Sequence, residues 1–272
     1  MISRLTRALL RVALVGLAAV VGILVVQVLR LRRTEFLPLH PGFYISHWVE
    51  PHGTEADPRM APLRLLTFGD STTAGVGVDR AEDALPMLLA QRLADDTRRT
   101  VRVLNFGWSG ARVADLVRDQ IPRSLESLRQ GETPWLPIAD VVIVVVGAND
   151  ATHRTSPRSF RADTRWMLEQ IRLAAPDAQV VLAGVPRFRG ALRDLEPLIS
   201  MFDAYAVMLR RIQRQEAERA GVTFAPLASD VPRLAIARGA SIADVLASDR
   251  FHPSPVGYRL WAEVIGAALE RR

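Results

Sequence analysis

The chain has 272 residues, 49% of them apolar, enough for one large domain with a substantial core. It contains no cysteine, which excludes disulfides, thiolate metal sites and a cysteine nucleophile. The formal charge of +6 comes entirely from the first 33 residues, where Arg4, Arg7, Arg11, Arg30, Arg32 and Arg33 stand without an acid. The rest of the chain is neutral and lacks the concentrated basic stripe that phosphate contacts require, so nucleic acid is not an expected partner.

From Val12 to Leu29 the sequence runs uncharged, with Gln27 as its one strongly polar interruption. As a helix these residues span about 27 Å, close to the hydrocarbon thickness of a bilayer. Arginines flank the run on both sides, where they can snorkel to headgroups. A cleaved signal peptide has a similar pattern, but no Ala-x-Ala site follows; Arg30-Leu31-Arg32-Arg33 does. Residues 1–33 are therefore expected to be an uncleaved single-pass anchor. Three arginines lie on each side, and the free amino terminus tips the balance toward a cytoplasmic N-terminus with the body periplasmic or otherwise extracytoplasmic.

Residues 34–62 carry five prolines and no helical period, and are expected to be an extended linker. His40, His47 and His52 fall here without i,i+4 spacing or a carboxylate cluster, so no metal site is expected. Residues 63–272 then alternate strand and helix. Strands are predicted at Leu63–Phe68, Val101–Phe106, Val141–Val146, Gln179–Ala183 and Val222–Ala225, and helices at 83–96, 111–128, 160–175, 202–220 and 255–269, with Pro122 kinking or dividing the second. Val141–Val146 is wholly β-branched, as a strand buried on both faces should be. This order predicts a three-layer α/β/α sandwich around a five-stranded parallel sheet, a single domain over 63–272.

Four polar constellations fall near strand ends, where open α/β sheets place their sites. Gly69-Asp70-Ser71-Thr72 follows the first strand and offers a serine at a turn or helix start. An N-cap or a phosphate loop reads the same way, but the chain has no lysine and no Gly-Lys-Ser/Thr. Asn105-Phe106-Gly107-Trp108-Ser109-Gly110 follows the second strand and brings glycines whose N–H groups can approach a substrate oxygen. Gly147-Ala148-Asn149-Asp150 follows the valine strand and adds a neutral amide donor. Asp249-Arg250-Phe251-His252-Pro253 precedes the last helix, with an acid placed to orient an imidazole.

Together these blocks resemble, in order and context over about residues 63–270, the SGNH family, also called GDSL hydrolases. The resemblance implies a flavodoxin-like α/β/α fold and activity as an esterase, lipase or related carboxylic ester hydrolase. It implies Ser71 as nucleophile, His252 as base, Asp249 as its orienting partner, and Ser71, Gly110 and Asn149 as oxyanion donors. Gly110 stands five residues beyond Asn105, as the family's glycine does; Gly107 is the alternative. No cofactor or metal is implied. A lipid or glycan ester is the expected substrate, with transfer of the acyl group to a sugar, or a non-catalytic membrane-proximal role, as alternatives. The stretch from Val185 to Phe202, rich in apolar residues, is a candidate pocket wall.

Overall fold

The computed structural model describes residues 4–38, 44–53, 55–126 and 133–270. Its centre is a six-stranded sheet: β1 (Ser46–Val49), β2 (Leu63–Gly69), β3 (Val101–Asn105), β4 (Val141–Val145), β5 (Gln179–Ala183) and β6 (Thr223–Ala225), in the spatial order β1-β3-β2-β4-β5-β6. The five expected strands are all present and mutually parallel. The sixth, β1, is a correction to the sequence reading: it comes from the stretch expected to be a linker and runs antiparallel along the β3 edge. Only four residues long, it buries Val49 but leaves Trp48 out over the Arg102 guanidinium, 5.4 Å from the ring centroid. So short a segment carries no readable alternation.

The helices are α1 (Arg4–Arg33), α2 (Ser71–Ala74), α3 (Leu85–Thr97), α4 (Val113–Asp115), α5 (Ile121–Ser124), α6 (Ala148–Thr152), α7 (Pro157–Ala174), α8 (Leu198–Arg219), α9 (Leu227–Ala237), α10 (Ile242–Val245) and α11 (Pro255–Leu269). A wide π-type turn over residues 116–120 joins α4 to α5. The division expected at Pro122 is therefore a widened turn just before it, which accommodates the missing N–H. Helix α9 has no counterpart in the sequence reading, because Pro232 sits inside it and masks its period.

Successive residues of the central strands point to opposite faces, and both faces are dry. Leu66, Phe68, Val142, Val144 and Leu182 pack under α7, α8 and the 113–124 segment. Leu65, Val103, Ile143, Val145 and Val181 pack under α3, α9 and α11. The result is a three-layer α/β/α sandwich, and burial on both faces is why the valine strand shows no alternation.

The strand order reverses direction between β2 and β4, so the crevice at the sheet's switch point opens at their carboxyl ends. The β2–β4 register pairs Gly69 with Val145 and thereby sets the loops that follow them side by side. Helix α1 projects from this body with most of its residues exposed. Ile143 is fully buried in the middle of the sheet. Ile143→Ala is expected to lower unfolding free energy by about 2–5 kcal/mol, measured by denaturant titration.

Candidate active site

Strand β2 ends at Gly69, whose φ of +158° and surroundings require glycine: a Cβ here would lie 2.1 Å from the Val145 carbonyl oxygen. The chain turns sharply into α2, capped by the Asp70 carboxylate, which accepts from Thr72 N–H (3.0 Å) and Thr72 Oγ1 (2.8 Å). Ser71 opens this helix, with its backbone N–H among those a helix start leaves without an intrahelical partner. Thr73 Oγ1 closes the turn by donating to the Asp70 carbonyl at 3.0 Å.

His252 reaches Ser71 from a position 181 residues further along the chain, Nε2 to Oγ at 3.0 Å. Its other ring nitrogen lies 2.6 Å from Asp249 Oδ2. An ionised carboxylate can only accept, so Nδ1 carries the proton and Nε2 is left to accept from the serine hydroxyl. Burial works to raise the Asp249 carboxyl, but the His252 ring and the Phe251 and His252 N–H groups outweigh it and hold the acid at about 2. The loop itself is fixed by Ala247 N–H donating to the His252 carbonyl (2.8 Å) and by Ser254 capping α11 through Gly257 N–H (3.1 Å).

Asn149 borders the same cavity as Ser71 and His252. It lies in α6, just after β4, and donates one amide hydrogen to the Ala111 carbonyl at 3.0 Å; the second meets no acceptor among the described residues. Ala111 follows Gly110, so the Asn149 side chain is pinned to the loop that carries that glycine. Gly110 is exposed with φ of +83°, and no intramolecular acceptor for its N–H is found among the described residues. Gly107 is committed elsewhere. Its N–H donates to Asn105 Oδ1 (3.0 Å), and a Cβ there would sit 1.9 Å from Thr73 Oγ1, so it serves as a spacer behind the serine turn.

The geometry also brings in residues that sequence reasoning missed. Gln120, fully buried, brackets Gly69: its Oε1 accepts the Gly69 N–H at 3.0 Å and its Nε2 donates to the Gly69 carbonyl at 2.8 Å. The signal available was only a glutamine within a helix, indistinguishable from a surface residue until the π-type turn rotates it inward. Tyr258 O–H donates to the Val76 carbonyl (2.6 Å) and steadies the loop after α2; burial raises its phenol. Burial also pushes the Asp70 carboxyl up to about 6 and raises Asp150, which accepts from Val113 N–H at 3.1 Å.

A cavity of about 690 Å³ extends from Ser71 between the 186–196 segment and helices α9 and α10. Phe188, Leu227, Val231, Ala235 and Ile236 give it an apolar wall. The expectation that the Val185–Phe202 stretch borders a pocket thus agrees with the fold. Of the three linker histidines, His40 lies outside the described residues; His52 faces Asp95 at the surface, Nδ1 to Oδ2 3.0 Å, and no metal-holding cluster occurs among the described residues.

Comparison with known proteins bears on the family and the fold. The GDSL-like Lipase/Acylhydrolase family matches residues 67–260. A GDSL-like esterase of Mycobacterium tuberculosis is 26% identical over 211 residues, 76% of this chain; the match spans 62% of that relative's length. Among solved structures, a protein of Parabacteroides merdae described as a GDSL-like lipase superposes with a TM-score of 0.60 at 20% identity, over 77% of this chain and 96% of its own. A lipase/acylhydrolase from Enterococcus faecalis gives 0.57 at 22%, over 77% and 96%.

Removing the Gln120 side chain leaves the buried Gly69 N–H unpaired, while the Gly69 carbonyl keeps a bond from Trp108 N–H. Gln120→Leu is accordingly expected to cost about 1–3 kcal/mol of stability by denaturant titration. Asp70 has the opposite sign from a paired surface acid. Its folded pKa lies above the ordinary carboxylate value of 3.8, so its ionisation weakens the fold as pH rises from about 4 to about 6, by roughly 3 kcal/mol. Asp70→Asn, whose Oδ1 can still accept from Thr72, should flatten that part of the stability profile and raise the melting temperature above pH 7.

Proposed function

Since this chain belongs to the GDSL-like lipase/acylhydrolase family, we propose that it hydrolyses carboxylic esters through an acyl-enzyme on Ser71. The observation that carries the reading is the chain of short hydrogen bonds from Asp249 through His252 to Ser71, joining two loops far apart in sequence. In this reading His252 Nε2 takes the hydroxyl proton as Oγ attacks the ester carbonyl, and returns it to the leaving alcohol. Asp249 holds the tautomer and balances the imidazolium. The developing oxyanion is received by the Ser71 and Gly110 N–H groups and the free hydrogen of the Asn149 amide. Water, activated by His252, then cleaves the acyl-enzyme. No step calls for a metal or cofactor.

The cavity supports an ester with a hydrocarbon acyl chain: its wall is apolar and it begins at Ser71. Helix α1 supports a membrane location. It is 30 residues long, apolar and exposed along the stretch expected to cross the bilayer. Gln27 and Leu31, near its end, pack against the body, which favours a retained anchor over a cleaved leader. The catalytic domain is then held at the bilayer surface, on the extracytoplasmic side if the short basic terminus stays in the cytoplasm. A C-terminal reporter active only in the cytoplasm should stay silent.

Ser71→Ala is expected to remove turnover of p-nitrophenyl esters and covalent labelling by a fluorophosphonate while leaving the melting temperature near wild type; substantial hydrolysis by this variant would sink the assignment. Asn149→Ala should keep the fold and lower kcat by about 100-fold or more, the usual loss for one oxyanion donor. Across an acetyl-to-palmitoyl series kcat/KM should rise with chain length beyond acetyl, as methylenes fill the cavity.

A further inference from the structure

Gln27 is the one polar side chain strong enough to interrupt the apolar run of α1, and nothing in the ester chemistry accounts for it. Its surroundings do. Val12, Leu17 and Val25 are 71%, 62% and 53% exposed, whereas Gln27 is 6% exposed. Its amide donates to the Glu196 carbonyl and accepts the Leu198 N–H at 3.1 Å, so both ends of the side chain are used on backbone 169 and 171 residues away. An amide in apolar surroundings is costly unless paired, and here the partners stand two residues apart where the loop after β5 enters α8.

That loop is the cavity wall. Between β5 and α8 the chain has only a single bridge, Arg189 to Ala191, and a short 3-10 turn at Arg193–Leu195. Its position therefore depends on side-chain contacts more than on a backbone ladder. The chain leaving α1 makes a second contact on the other side of the site. The Phe36 ring stands edge-on to Phe251 at 5.4 Å, and Leu37 N–H donates to Asp249 Oδ2 at 3.3 Å. Phe251 in turn lies 6.1 Å from Phe188 of the wall and 5.3 Å, edge-on, from the His252 ring.

We propose that the end of α1 and the segment after it are a positioning element of the site: Gln27 fixes the 187–198 wall against which an acyl chain lies, and Leu37 fixes the carboxylate that orients His252. This rests on the ester-hydrolase reading. It makes the anchor a working part of the enzyme as well as a tether, and it sets the cavity wall beside the carboxyl-terminal end of α1. An acyl ester leaving the membrane then meets the wall first.

The test uses the full chain in nanodiscs. Gln27→Leu keeps the helix long and apolar but removes both hydrogen bonds. KM for a decanoyl ester should rise about fivefold or more, while kcat/KM for the acetyl ester stays within about twofold. Leu37→Pro removes the N–H at a step that Pro38 already biases toward extended backbone, and Leu37→Ala, which trims the side chain and keeps the N–H, is its control; kcat should fall about fivefold on both esters with KM unchanged in the proline variant and stay near wild type in the alanine variant. Replacing residues 12–22 by leucine should alter neither. Amide hydrogen exchange over 187–198 should accelerate in Gln27→Leu whatever ester is cleaved, so this inference and the esterase reading fail separately. Wild-type exchange in Gln27→Leu, or chain-length profiles that superpose on wild type for both variants, overturns it. So does lost activity fully explained by fewer fluorophosphonate-reactive sites.

Discussion

At the end of β2 the backbone is squeezed from three sides: by the Val145 carbonyl of β4, by Thr73 of the serine turn, and by Gly107 of the loop after β3. Hydrogen is the only substituent that fits at Gly69, and Gly107 is equally crowded on its other side. This close approach allows three loops from three adjacent strands to meet at one point. Gln120 then locks it by occupying both hydrogen-bonding groups of Gly69, supplying from a helix the pairing that a neighbouring strand no longer provides at the sheet's end. The serine turn, the Asn149 loop and the Gly110 loop take their relative positions from this junction.

The two acids nearest Ser71 show how local pairing decides charge. Asp249 accepts four hydrogen bonds, from the His252 ring and from three backbone N–H groups, and burial fails to lift it: it stays ionised down to about 2. Asp70 is more deeply buried and receives only the Thr72 pair, and its carboxyl sits near 6. The acid beside the imidazole is thus a dependable negative charge, and the acid that caps the serine turn carries a desolvation cost at neutral pH. The tightness of the turn at Gly69 leaves the capping position inside the protein, and the fold bears that cost to hold Ser71 in place.

Much of this was legible in the sequence, because the five parallel strands are apolar runs bounded by glycine and polar turns, and because the four site blocks follow strand ends. Ser71, Asn149, Asp249 and His252 meet where those blocks placed them. The parts that were not legible share a cause: contacts that depend on distant chain. Strand β1 is stabilised by an edge it borrows from β3. Helix α9 hides behind Pro232, and Gln120 needs a π-type turn to face inward. That the Gly107 N–H already has a partner in Asn105 Oδ1 is likewise visible only in the fold.

Gln27 joins the two halves of the molecule that the sequence presents as unrelated, a charged-ended apolar helix and a neutral hydrolase body. A helix that served as a tether alone would need no amide two turns before its end, since an unpaired amide at that depth weakens insertion. The amide becomes favourable only when the body presents a carbonyl and an N–H with the right spacing, as Glu196 and Leu198 do. The same loop borders the cavity that begins at Ser71. One pair of hydrogen bonds therefore ties α1 to the wall of that cavity, beside the Leu31, Phe36 and Leu37 contacts that the same end of the chain makes with the body.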